Sequence, residues 1–137
     1  MKVTINQIQG IALAGKGDSK HWVVMDGPEK FSGLEAGSLP MELFLISLAG
    51  CTGMDVVSLL EKMRVKLDDF KMEVEAERAE THPKVFTKIR MEYLLFGKDI
   101  DPEKVEKAID LSQNKYCPAS AMLKKTVDIT TSYKINP

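Results

Sequence analysis

The stretch from Leu43 to Leu60 constrains the fold most strongly. Its apolar residues fall on nearly every face of a helix, so a single hydrophobic stripe cannot account for them, and the helix has to be surrounded by protein. Pro40 suits the first helical turn, and Glu42 lies close to the positive end of the helix dipole. Glu61, Lys62 and Arg64 mark where the helix emerges into water. Ser47, Cys51, Thr52, Asp55 and Ser58 interrupt the run, which is the pattern of a buried helix rather than of a membrane span.

On either side of this helix the hydrophobic period is two. Val3 and Ile5 alternate with polar neighbours and predict a first strand, the Gly15–Ser19 cluster predicts a turn, and His21–Asp26 a second strand. Beyond the helix, Phe70, Met72, Val74 and Ala76 alternate with charged residues. Thr81-His82-Pro83 turns the chain, and Val85, Thr87, Ile89, Met91 and Tyr93 alternate again, predicting a long antiparallel hairpin with one wet face on each strand. Asp101-Pro102 starts a second helix, and Thr126–Tyr133 reads as a last strand. The predicted order is ββ-α-ββ-α-β, an α+β fold with a mainly antiparallel sheet, and 137 residues make one domain, residues 1–137.

Net charge is −1, with 19 basic and 20 acidic residues, so no basic footprint points to nucleic acid or to an anionic membrane. Residues 1–10 lack the apolar core of a secretory signal, which predicts a cytoplasmic protein. Thiols are kept reduced there, so Cys51 and Cys117, the only two cysteines, are either inert core residues or a chemical pair rather than a permanent staple. There is no Walker loop, no dinucleotide fingerprint and no zinc-ligand spacing, and His21 and His82 read as structural.

At 100° per residue, Ser47 and Asp55 fall about 40° to either side of Cys51 and Ser58 about 20° away, giving a polar stripe along an apolar helix. Buried polar groups need partners or a purpose. Either the hydroxyls simply bond the preceding turn, or the stripe carries chemistry. Cys117 precedes Pro118 and a short helix pattern, Ala119 to Leu123. As N-cap it would face free backbone N–H groups that favour a thiolate; the alternative is a small buried hydrophobe.

Taken together, Pro40-Met41-Glu42-Leu43-Phe44, Ala49-Gly50-Cys51-Thr52-Gly53-Met54-Asp55-Val56 and Tyr116-Cys117-Pro118-Ala119-Ser120 resemble the OsmC/Ohr family of thiol-dependent hydroperoxide reductases. The resemblance implies an intertwined homodimer with two active sites at the subunit interface and no cofactor. It implies Cys51 as the peroxidatic thiol attacking an organic hydroperoxide, Cys117 as the resolving thiol, and a dithiol reductant, lipoyl-bearing or small, that restores both. Peroxidases of the family are expected to use an arginine from the N-terminal hairpin and a glutamate ten residues before the first cysteine. Here Met41 stands ten back and Glu42 nine back, the latter about 180° round the helix from Cys51. No arginine precedes Arg64, and the hairpin offers Lys16 and Lys20, which lack the planar fork of a guanidinium. Asp55, one turn from Cys51, would raise its pKa unless paired with a cation. These departures mark a divergent branch. They leave two other functions open, a module binding an apolar small molecule and a thiol redox sensor.

Overall fold

A computed structural model describes residues 1–137 and divides them into two compact units, Met1–Ile46 and Ser47–Pro137. The first unit holds an antiparallel meander of β1 (Thr4–Gln9), β2 (Ala12–Lys16) and β3 (Trp22–Met25). This is three strands where the hydrophobic pattern predicts two. Gly15 and Lys16, expected in a turn, end β2, and the turn proper is closed by the Lys20 N–H on the Gly17 carbonyl. Ala12-Leu13-Ala14-Gly15 has no alternation to read, yet Gly15 has a packing reason. A Cβ there would come within 2.6 Å of Ile5 Cδ1 on the neighbouring strand. After β3, the buried Asp26 gathers the following loop, its carboxylate accepting the N–H groups of Gly27 (2.7 Å), Leu34 (2.9 Å) and Ala36 (3.1 Å).

Helix α1 (Pro40–Lys62) begins in the first unit and continues into the second. Pro40 occupies its first position, where the missing N–H costs nothing. Only one stripe of it is covered by the chain itself: Leu48, Thr52, Gly53, Val56 and Leu60. Phe44, Ile46, Met54 and Val57 stay exposed, Met54 at 76%. The expectation of a helix enclosed on every face is met within the chain on this stripe alone.

In the second unit β4 (Asp69–Arg78) and β5 (Phe86–Phe96) form the long antiparallel hairpin that their alternation predicts. β6 (Asp128–Ile135) lies on the other side of β5 and runs parallel to it, with Ile89 opposite Ile129 and Tyr93 opposite Tyr133. Parallel pairing requires a crossover. It is supplied by α2 (Pro102–Leu111), a π-helical turn (Ser112–Tyr116) and α3 (Pro118–Leu123). Asp101 caps α2 by accepting the Glu103 N–H at 3.0 Å, with Pro102 just inside, as the Asp-Pro pair predicts. As the central strand β5 is the most buried, with Ile89, Met91, Tyr93 and Leu95 at 1% exposure or less. Gly53 lets α1 approach β4 closely: a Cβ at this position would lie 2.9 Å from Met72 Sδ and 3.3 Å from the Phe70 ring.

Candidate functional site

Cys51 lies in the middle of α1 and Cys117 is the N-cap of α3. The fold brings their sulfurs to 3.1 Å, within hydrogen-bonding distance, both as free thiols. Cys51 is half-buried; Cys117 is buried, at 2% exposure.

Cys117 is held at three points. Its N–H donates to the Ser112 carbonyl at 2.9 Å, the five-residue bond that makes the preceding turn π-helical. Its carbonyl accepts the Ala121 N–H at 3.1 Å, and its sulfur accepts the Ser120 N–H at 3.4 Å. Lys124 braces the π turn from outside, donating through Nζ to the Gln113 carbonyl (2.9 Å) and to Asn114 Oδ1 (3.1 Å). The N-cap geometry read from Cys117-Pro118 is therefore present.

Burial pushes the Cys51 thiol above its ordinary pKa, and the bonded Cys117 thiol adds to the rise. The Ala119 N–H works in the opposite direction, and the Asp55 charge raises the pKa further. A negative neighbour and a desolvated sulfur both favour the protonated form, so the site as folded holds Cys51 as a thiol.

Behind the sulfurs lies a buried polar cluster. Thr52 Oγ1 is 2.8 Å from Tyr93 Oη and 2.8 Å from Ser112 Oγ, and accepts from Gln113 Nε2 at 2.8 Å. Ser112 Oγ donates to Asp55 Oδ2 at 3.1 Å, and Gln113 Nε2 reaches Tyr93 Oη at 3.3 Å. Counting hydrogens orients the chain. The single Ser112 hydroxyl proton goes to the carboxylate, so Thr52 donates to Ser112, and Tyr93 in turn donates to Thr52. Every proton thus points from Tyr93 through Thr52 and Ser112 toward Asp55. Burial holds the Tyr93 phenol above its ordinary pKa, against the lowering effect of its bonds to Thr52 and Gln113.

A family model for OsmC-like proteins matches residues 33–132. The chain belongs to the OsmC-like family. It is 38% identical over 135 residues to protein YhfA of Escherichia coli strain K12, covering 98% of each chain. Among solved structures it superposes on a hypothetical protein from Aquifex aeolicus VF5 with a TM-score of 0.87 and 30% identity, covering 98% of this chain and 95% of that one. The organic hydroperoxide resistance protein OhrB of Bacillus subtilis shares the fold at a TM-score of 0.64 and 22% identity, over 97% of this chain and 96% of that one. The α+β OsmC fold and a place on a divergent branch both follow.

Set against the site pattern expected in this OsmC-like chain, Cys51, Cys117 and Asp55 come together in the Ser47–Pro137 unit. Lys16, Lys20 and Glu42 belong to the Met1–Ile46 unit. Lys16 Nζ sits 4.5 Å over the Trp22 ring. Lys20 closes its turn through its backbone N–H at a φ of 65°. Glu42 Oε2 accepts the Leu39 N–H at 3.1 Å, a carboxylate spent on its own helix start. The stripe expected beside Cys51 is split: Ser47 and Ser58 are exposed, while Asp55 is half-buried and bonded to Ser112. Sequence reasoning missed Thr52, Tyr93, Ser112 and Gln113 as a group. The one local signal was a threonine in the middle of an apolar helix, where its hydroxyl needs a partner.

Proposed function

We propose that this chain reduces organic hydroperoxides with Cys51 as the attacking thiol and Cys117 as the resolving one. The observation that carries the reading is the pair of free sulfurs at 3.1 Å on two different elements, the more accessible one on α1. The name of the Bacillus subtilis neighbour, an organic hydroperoxide resistance protein, supports it. In the first step the Cys51 thiolate attacks one peroxide oxygen and the O–O bond breaks. The alkoxide takes a proton and leaves as alcohol, and Cys51 becomes a sulfenic acid. Cys117 then attacks Cys51 Sγ, forming the disulfide and releasing water. A dithiol, lipoyl-bearing or small, reduces the disulfide by exchange and is itself oxidised.

The exposed apolar residues of α1, Phe44, Ile46, Met54 and Val57, support assembly as a homodimer that covers them. A cytoplasmic setting, where thiols stay reduced, suits the free pair. Steady consumption of cumene hydroperoxide with dithiothreitol as reductant tests the reading, and Cys51→Ser is expected to abolish it. Turnover at the wild-type rate in Cys51→Ser would sink it. The raised Cys51 thiol favours a second reading, a redox sensor that oxidises once, slowly and stoichiometrically; absence of turnover with one disulfide formed per chain would select that reading.

A further inference from the structure

The polar cluster behind the thiols links the two elements that carry them. Thr52 follows Cys51 directly and is about 100° round α1 from it, so fixing the direction of Thr52 fixes that of Cys51. Thr52 Oγ1 is bonded to Ser112 Oγ at 2.8 Å. The carbonyl of the same Ser112 accepts the Cys117 N–H at 2.9 Å. One residue therefore holds α1 with its side chain and the N-cap of α3 with its backbone. Ser112 also reaches Asp55, one turn beyond Cys51, at 3.1 Å, so it grips α1 at two points within the turn that follows the cysteine. Both hydroxyls are fully buried, where a lost partner is expensive, and Ser112 opens a π-helical turn, a distortion that stays only where the surroundings hold it.

We propose that Thr52 and Ser112 are positioning residues that hold Cys51 and Cys117 in register for closure to a disulfide. Pre-alignment turns a search by two side chains into a near-contact reaction and raises the effective concentration of one thiol at the other. The inference rests on the proposed function only in that the pair closes to a disulfide, so it is tested without peroxide. The protein dithiol is equilibrated with oxidised dithiothreitol. The two cysteine thiols give up two electrons and two protons to form one disulfide, and the reagent's disulfide becomes its dithiol. Acid quenching, alkylation and mass measurement then read the fraction closed.

Thr52→Val, which keeps the shape and removes the hydroxyl, is expected to lower the equilibrium constant for closure about tenfold, a rise of about 30 mV in reduction potential. Ser112→Ala is expected to shift it the same way, and serves if Thr52→Val fails to fold. Thr52→Ser keeps the hydroxyl and is expected to stay within about twofold of wild type. A merely structural role would lower the melting temperature of the dithiol form and leave this constant unmoved, and that result overturns the proposal. So would a Thr52→Ser shift as large as that of Thr52→Val. Cumene hydroperoxide consumption by wild type, run alongside, separates the two readings. No consumption with the expected shifts ends the peroxidase reading and upholds the register; normal consumption with unmoved constants does the reverse.

Discussion

The orientation of the hydroxyl chain predicts that two of its members differ sharply in what their loss costs. Thr52→Val removes the acceptor of the Tyr93 O–H and of one Gln113 N–H, and removes the donor to Ser112 Oγ. Two buried donors are left without partners, at about 1–3 kcal/mol each, so about 2–6 kcal/mol is expected. Tyr93→Phe removes only the terminal donor. Thr52 still accepts from Gln113 and still donates to Ser112, and the one bond lost elsewhere is the long 3.3 Å contact from Gln113. A cost of about 1 kcal/mol is expected. The double variant should cost less than the sum, because deleting the phenol hydroxyl removes one of the donors that Thr52→Val orphans. Urea unfolding of the reduced proteins at one fixed concentration measures all three, with unchanged m-values as the check that the native state is preserved. A Tyr93→Phe cost equal to that of Thr52→Val would refute the orientation, and so would strict additivity.

Two further predictions concern charge. Cys51 titrates above the ordinary thiol value, in part through Asp55, so Asp55→Asn is expected to move the midpoint of its alkylation by iodoacetamide to lower pH in a Cys117→Ser background; an unmoved midpoint would show that burial alone sets it. Asp26 is held below the ordinary carboxylate range, chiefly by the Gly27 N–H and with help from Ala36 and Leu34. Its contribution to stability is therefore complete above the unfolded carboxylate pKa and lost as pH falls through the depressed folded value. Trp22 fluorescence should accordingly follow an acid transition of the Met1–Ile46 unit that is weaker in Asp26→Asn, and an identical acid limb in the variant would contradict this.

What was legible in the sequence was what is local. The alternation through Phe70–Ala76 and Val85–Tyr93 gave the β4–β5 hairpin, and Asp101-Pro102 gave the start of α2, because a period and a cap are written within a few residues. Cys117-Pro118 gave an N-cap for the same reason. β2 was hidden because Ala12 to Gly15 has neither alternation nor β-branched residues, and its place comes from pairing with strands on both sides. The parallel run of β6 was hidden because direction is set by the length of the crossover rather than by the strand. The polar cluster was least legible of all. Its bonds span 41, 60 and 61 residues, so no window of sequence contains both partners. The nearness of Cys51 and Cys117, 66 residues apart, was reached through family resemblance and not through spacing.

The site holds its sulfurs by geometry where charge works against reactivity. Burial, Cys117 and Asp55 all raise the Cys51 thiol, and only the Ala119 N–H among the identified influences lowers it. Each unit of rise costs about tenfold in thiolate at a pH well below the pKa, but the thiolate that remains is more nucleophilic by roughly 0.4–0.5 of a logarithmic unit. The net loss is only about three- to fourfold per unit for exchange reactions, which a pre-aligned partner thiol can outweigh many times over. A pair at 3.1 Å therefore favours the step that joins the two sulfurs over the step in which Cys51 must act alone on an outside oxidant. Under the proposed chemistry the first oxidation is slow and climbs with pH, and closure is fast. The sulfenic acid should then not accumulate in wild type and should become trappable by dimedone when Ser112→Ala loosens the register; trapping to the same extent in both proteins would show that proximity at rest does not govern the second step.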